Sequence, residues 1–266
     1  MYLNVKMFHI LLLNTIPVSA SKMEPFIVGG QEVSTEDWPF IAFVEVTWFD
    51  LFAMACGGTL VSSQTVLSAA HCMDDITEKK AHMTGISFNI YMGHSSHAKA
   101  KMTRQVVDYE THEDYSPEDA DVRSDIGIMF LTAPVRFSDN VQKAILQPRF
   151  SFKEDSHLVV AGWGDTDPEI KGTSTERLRA IQIIAKKYRS CKDMHRVICT
   201  ASEKGYPFTG DSGGPVVNAV TRQQVGIVSV RDMDTGITIL TSVPEYWEWI
   251  RRTQLKLFQK FCGKAK

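Results

Sequence analysis

Gly210-Asp211-Ser212-Gly213-Gly214-Pro215 sets one serine among three glycines, a composition that neither strand propensity nor core volume would select. Glycine is used where backbone must take positive φ or let another group come close. The hexapeptide therefore reads as an exposed hydroxyl surrounded by bare amides. Attack on a carbonyl asks for that combination. The nucleophile needs room, and the oxyanion it creates needs N–H donors about 3 Å away. A glycine-rich turn with a capping aspartate fits the same letters, so the rest of the chain must decide between them.

A serine hydroxyl is a weak nucleophile until a base takes its proton. The segment satisfies Gly-x-Ser-x-Gly, the nucleophile elbow of α/β-hydrolases, but that fold places its histidine after the serine. The last histidine here is His195, which excludes that order. The order His, Asp, Ser remains open. Upstream, Leu67-Ser68-Ala69-Ala70-His71-Cys72 crowds small residues around a histidine, and Asp125-Ile126-Gly127-Ile128-Met129-Phe130-Leu131 puts an acid at the head of an apolar run. Ile27-Val28-Gly29-Gly30 stands near the front.

These four landmarks, in this order, resemble the trypsin/chymotrypsin family of serine peptidases, and the resemblance runs from Ile27 to about Gln254. It implies an all-β fold of two six-stranded antiparallel barrels with a C-terminal helix. On that reading the peptidase domain is 27–266: first barrel about 27–137, second about 138–245, helix and tail 246–266. The catalytic triad falls on His71, Asp125 and Ser212, with the oxyanion held by the N–H groups of Gly210 and Ser212. The chemistry implied uses no metal or cofactor. The family's calcium-binding loop would fall near Gly93 to Lys101, where no carboxylate occurs.

Length and composition agree with one large domain or two small ones. The chain has 266 residues, 44% of them hydrophobic, and a net charge of −2. So small a charge gives no electrostatic reason to expect nucleic acid as a partner. Expected partners are protein or peptide substrates and protein inhibitors, with the chain itself monomeric.

Residues 1–20 read as a secretory signal: Lys6 is the positive start, Phe8 to Leu13 the apolar centre, Val18-Ser19-Ala20 the cleavage site. The apolar run is too short to span a bilayer, and no later stretch approaches the ~20 residues required. The expected location is extracellular. Ser21 to Phe26 is then a propeptide. In the resembled family, cleavage before Ile27 frees an α-amino group that pairs with Asp211 and orders the oxyanion hole. Relatives mostly carry Lys or Arg before the cut; this chain has Pro25-Phe26, which points to an activator unlike trypsin.

Short β-branched and aromatic segments recur between turns. They are Phe40 to Thr47, Gly57 to Val61, Ile86 to Tyr91, Gln105 to Tyr109, His157 to Trp163, Leu178 to Ile184, Val225 to Val230 and Ile237 to Ser242. Such spacing with little helical periodicity argues for a sandwich or barrel. Tyr246 to Lys266 is the one clear helix, with Trp247, Ile250, Leu257 and Phe261 at helical spacing and Arg251, Arg252, Lys256 and Lys260 on other faces. It reads as a helix packed on the body, with binding to a membrane surface as the lesser alternative.

Five cysteines in a secreted chain suggest disulfides. The resemblance implies Cys56–Cys72 beside the histidine and Cys191–Cys199. A loop of the first bridge's size contributes roughly 3 kcal/mol by chain entropy. A third family bridge is missing at both ends, with Phe208 at one of them. Cys262 is left over, free or paired with another chain.

Specificity departs from the better-known relatives. In trypsin-type enzymes an aspartate sits at the pocket base, at the position of Tyr206. Pocket-wall glycines of wide-pocket relatives become Arg231, after Ser229-Val230, and Thr238. Cleavage after Lys or Arg is therefore not expected; small aliphatic residues come first and acidic ones second. Arg231 pointing to solvent is equally compatible with the sequence. The alternative function is a catalytically silent homologue that binds a partner through the same fold.

Overall fold

Short apolar segments broken by turns close into two antiparallel barrels. The computed structural model describes residues 27–263 apart from 49–51, 75–85, 117–123, 150–153, 168, 171, 173, 189–190, 192–193, 195 and 203–204. The expected leader, the propeptide and the last three residues of the tail lie outside the described residues.

A short strand β1 (Gln31–Glu32) precedes the first barrel. That barrel contains β2 (Ile41–Trp48), β3 (Phe52–Leu60), β4 (Thr65–Ser68), β5 (Ile86–Met92), β6 (Met102–Thr111) and β7 (Gly127–Leu131), with the four-residue helix α1 (His71–Asp74) after β4. Its closed order is β2-β3-β4-β7-β6-β5, and β5 returns to β2 along Phe43 to Trp48. The second barrel contains β8 (His157–Gly162), β9 (Arg179–Ala185), β10 (Val197–Ala201), β11 (Pro215–Asn218), β12 (Gln224–Arg231) and β13 (Thr238–Ser242). Its order is β9-β10-β13-β12-β11-β8; β8 also pairs with β9, closing the ring, and β1 joins the outer edge of β9.

β6 carries the pattern that makes a half-buried strand legible. Thr103, Gln105 and Val107 are exposed while Met102, Arg104 and Val106 are half-buried, the period of two that a pleat imposes. β4, β7 and β13 are buried along their whole length. In β7 the outer face is covered by the C-terminal helix, where Phe130 stacks on Phe261 with centroids 5.1 Å apart. Each expected segment overlaps one of these strands, and several run one residue past its end, as Phe40 does before β2 and Trp163 after β8. β1, β4, β7, β10 and β11 were not among the expected strands, because two to five residues without alternation carry no period to read.

The helix α2 runs Trp247–Cys262, after a 3₁₀ turn Val243–Tyr246, and ends at Gly263. Tyr246 therefore closes the turn and does not open the helix. Ile250 and Leu257 enter the core of the first barrel together with Val243, Tyr246 and Trp249. Full burial of one such aliphatic side chain is worth about 1.5–3 kcal/mol. The basic face is matched to acids of β6 and the segment after it: Lys260 to Asp108 at 2.6 Å, Lys256 to Glu110 at 2.5 Å, Arg252 to Glu113 at 2.8 Å. Exposed pairs of this kind give register more than stability.

A third buried cluster lies at the seam between the barrels. Trp38, Phe40, Ile41 and Phe43 meet Ala161, Trp163 and Val217 there. This seam fixes one barrel against the other, and the cleft opens along it.

Candidate active site

His71 opens α1 at the end of β4. Ala69 and Ala70 before it are fully buried, and Cys72 after it is bonded to Cys56 of β3. Asp125 stands just ahead of β7, and Ser212 lies in the turn that leads into β11. The first barrel thus supplies two of the three residues singled out in the sequence, and the second barrel supplies the third.

Asp125 is fully buried and held from several sides. Oδ1 accepts the His71 backbone N–H at 2.9 Å, and Oδ2 lies 2.8 Å from the ring Nδ1. The Ser229 hydroxyl donates to Oδ2 at 2.5 Å, and the Thr241 hydroxyl donates to the Asp125 carbonyl at 2.8 Å. Burial pushes this carboxyl up, but the bonds from His71 and Ser229 outweigh it and leave the group below its ordinary value. Asp125 therefore stays ionised, fixes the ring, and can stabilise a cationic imidazole.

The turn carrying Ser212 is built by close backbone approach. Gly57 N–H donates to the Ser212 carbonyl at 2.6 Å, Gly213 N–H to Val228 at 2.8 Å, and Gly214 N–H to Asp211 at 2.9 Å. Gly210 has φ +95° and Gly213 φ +80°. A β-carbon at Gly213 would collide with the Ser68 hydroxyl and the Gly57 carbonyl. Among the described residues, the N–H groups of Gly210 and Ser212 have no acceptor within the protein. His71, Asp125 and Ser212 share a cleft of about 460 Å³ with Phe208, Arg231 and Thr238.

Over residues 27–250 the chain matches the profile of the Trypsin family. It belongs to that family.

Among similar proteins, mouse granzyme C is 30% identical over 259 residues, which is 92% of this chain and 96% of that one. A chymotrypsin of Phaedon cochleariae is 29% identical, covering 88% and 85%. A solved structure described as that of GrC has a TM-score of 0.72 at 28% identity, covering 85% of this chain and 98% of the other. HL collagenase, at 23% identity and TM-score 0.71 over 85% and 98%, shares the fold.

In this trypsin-family chain Asp211 is fully buried. Its carboxylate accepts Gly164 N–H at 2.8 Å and Phe208 N–H at 2.9 Å. Burial nevertheless pushes its pKa up to about 7. Ile27 is fully buried among Leu158, Val160 and Ile181 of the second barrel. It has φ +37°, an outlier for a β-branched residue. Tyr206 N–H donates to the neighbouring Val28 carbonyl at 3.0 Å. No ion pair joins Ile27 and Asp211 among the described residues, because the Ile27 nitrogen is still a peptide nitrogen.

Ser229, Arg231 and Thr238 line the cleft, whereas Tyr206 is not among the residues lining it. The Arg231 guanidinium covers the Tyr206 ring, 3.5 Å from its centroid. Nη1 donates to Thr238 Oγ1 at 3.0 Å, and Arg231 and Thr238 are register partners on β12 and β13. Arg231 thus reaches across the pocket and not out to solvent. Phe208, where relatives carry a bridge cysteine, sits edge-on to Tyr206 at 6.0 Å. Cys191 and Cys199 are joined at 2.05 Å. The Cys262 side chain lies outside the described residues.

Three contributors to the site were not foreseen: the Ser229 bond to Asp125, the Thr241 bond, and the Gly57 amide on Ser212. Ser229 was expected only as a residue of the specificity pocket, and serine and threonine in strands are unremarkable letters that reveal no bond to Asp125.

Proposed function

We propose that this chain is a secreted serine endopeptidase, made as a zymogen and acting through an acyl-enzyme. The observation that carries this reading is the double hydrogen bond between His71 and Asp125 in the same cleft as Ser212. His71 takes the Ser212 proton as Oγ attacks a peptide carbonyl, then delivers it to the leaving amine. Asp125 holds the tautomer and stabilises the cationic ring. The Gly210 and Ser212 amides receive the oxyanion; losing one such donor typically raises the barrier by about 3–4 kcal/mol. Water then releases the acyl group by the reverse relay.

Activation follows from Asp211. A fully buried carboxyl with its pKa near 7 is a site short of a positive charge. Cleavage after Phe26 would supply one as the Ile27 ammonium and release the strained φ at Ile27. A leader over 1–20 and a propeptide over 21–26 complete the scheme. The pocket, with Tyr206 where tryptic relatives carry a carboxylate, would leave a bound Lys or Arg unpaired, so cleavage is non-tryptic.

Reaction with a fluorophosphonate tests the reading. The cut protein should take one label, located on Ser212 by mass spectrometry. Absence of labelling would leave a silent homologue that binds a partner through the same cleft.

A further inference from the structure

Arg231 is a half-buried cation that lines the cleft of Ser212 and has no carboxylate partner among the described residues. The neighbouring acid makes no hydrogen bond or ion pair to it. Asp232 accepts from Asp234 N–H at 2.9 Å and from the Thr235 hydroxyl at 2.5 Å, which ties it to its own turn. The guanidinium is instead positioned by neutral groups: the Tyr206 face beneath it and Thr238 Oγ1 at its Nη1. Its Nε is buried with no acceptor. Thr238 Oγ1 accepts from Nη1, so its own proton is available to a further acceptor. Burial lowers the Arg231 pKa, and the charge of nearby Asp232 opposes part of that penalty.

We propose that Arg231 makes this pocket select an acidic side chain, Asp or Glu, immediately before the bond that is cut. The inference rests on the peptidase reading and names its substrate class. A carboxylate entering the pocket meets a cation already desolvated and already oriented on an aromatic face, so little further ordering is required. It can accept from Nη2, which has no acceptor among the described residues, and from the Thr238 hydroxyl, and charge-assisted bonds of this kind are about twice as strong as neutral ones. An amide of the same shape offers the cation only a neutral carbonyl oxygen and gains much less. A basic side chain would be repelled outright. Arg231 also shortens the pocket, which works against large aromatic residues. Small aliphatic residues fit the remaining space but leave the half-buried guanidinium without an anion. That unpaired cation places acidic residues ahead of aliphatic ones, the reverse of the order the sequence suggested.

The test compares kcat/KM on peptides that differ only at the residue before the cut, with Asp against Asn and Glu against Gln as matched pairs. Protein cut before Ile27 is used, and rates are normalised to active sites titrated with a fluorophosphonate. The acidic member should be preferred by about a hundredfold, the scale set by leaving a buried charge unpaired. In Arg231→Gln the acid-to-amide ratio should fall to about one or below. Tyr206→Asp, which gives the guanidinium an internal partner, should lower the same ratio by a second route. Titratable sites with an acid-to-amide ratio near one in the wild type, or with best cleavage after Ala, Val, Lys or Arg, would overturn this inference and leave the peptidase reading standing. No titratable sites and no cleavage of any peptide would overturn both.

Discussion

Asp125 accepts two hydrogen bonds from His71, one from the ring Nδ1 at 2.8 Å and one from the backbone N–H at 2.9 Å. The pair locks the imidazole in both tautomer and orientation, and it joins the end of β4 to the start of β7. Ser229 on β12 adds a third donor at 2.5 Å, so the second barrel braces a carboxylate that belongs to the first.

Ser229→Ala should therefore slow the reaction without removing any reacting group. A buried ionised group that loses one donor is destabilised by about 1.5–3 kcal/mol, which converts to a loss of roughly ten- to a hundredfold. Steady-state kinetics on one peptide should place the loss mainly in kcat, with KM little changed. A compensating Ser229→Thr should recover part of it.

Asp211 gives the uncut chain a distinctive pH dependence. Its pKa rises from an ordinary carboxylate value to about 7 in the folded state. Between about pH 4 and 7 the folded chain therefore holds a proton that the unfolded chain has released. Stability should be full below that window and should fall as pH rises through it. Denaturant unfolding of the uncut chain at pH 4.5 and pH 7 should show this decline relative to Asp211→Asn, which should lack it. Protein cut before Ile27, with an ammonium available to pair with Asp211, should lose the decline as well.

Activation by cleavage should follow the residues before Ile27. Chymotrypsin should cut after Phe26 and raise activity by orders of magnitude, while trypsin should not cut that bond. Peptide hydrolysis by the uncut chain at the rate of the cut chain would contradict the pairing scheme.

The bridge between Cys56 and Cys72 closes a loop sixteen residues apart and holds the residue next to His71. Replacing both cysteines by Ala should lower unfolding free energy by about 3 kcal/mol. A wider spread of His71 positions should accompany it, read as a larger drop in kcat than in binding of a peptide aldehyde.

Much of this was legible in the sequence for physical reasons that also mark its limits. Ser212 and His71 announce themselves because their chemistry demands rare company: glycines that clear space, and small buried residues before the base. β6 was legible through alternation, whereas β4 and β11 are short and largely buried and carry no such period. Ser229 and Asp125 lie 104 residues apart, and no local pattern links two residues that meet only when the barrels dock. Arg231 stayed ambiguous because its direction depends on the Tyr206 ring, which comes from a separate loop. The helix was visible from its apolar stripe, but its start was placed one residue early because the preceding 3₁₀ turn buries Val243 and Tyr246 at nearly helical spacing.

The central claim is that Ser212 and His71 act as one catalytic unit, and the most direct test is hydrolysis of a diverse peptide library by the cut protein, by Ser212→Ala, by His71→Ala and by the double variant. Each single variant should lose several orders of magnitude in kcat while unfolding at an unchanged temperature, and the double variant should be no worse than either alone. Hydrolysis by Ser212→Ala at the wild-type rate would contradict the account.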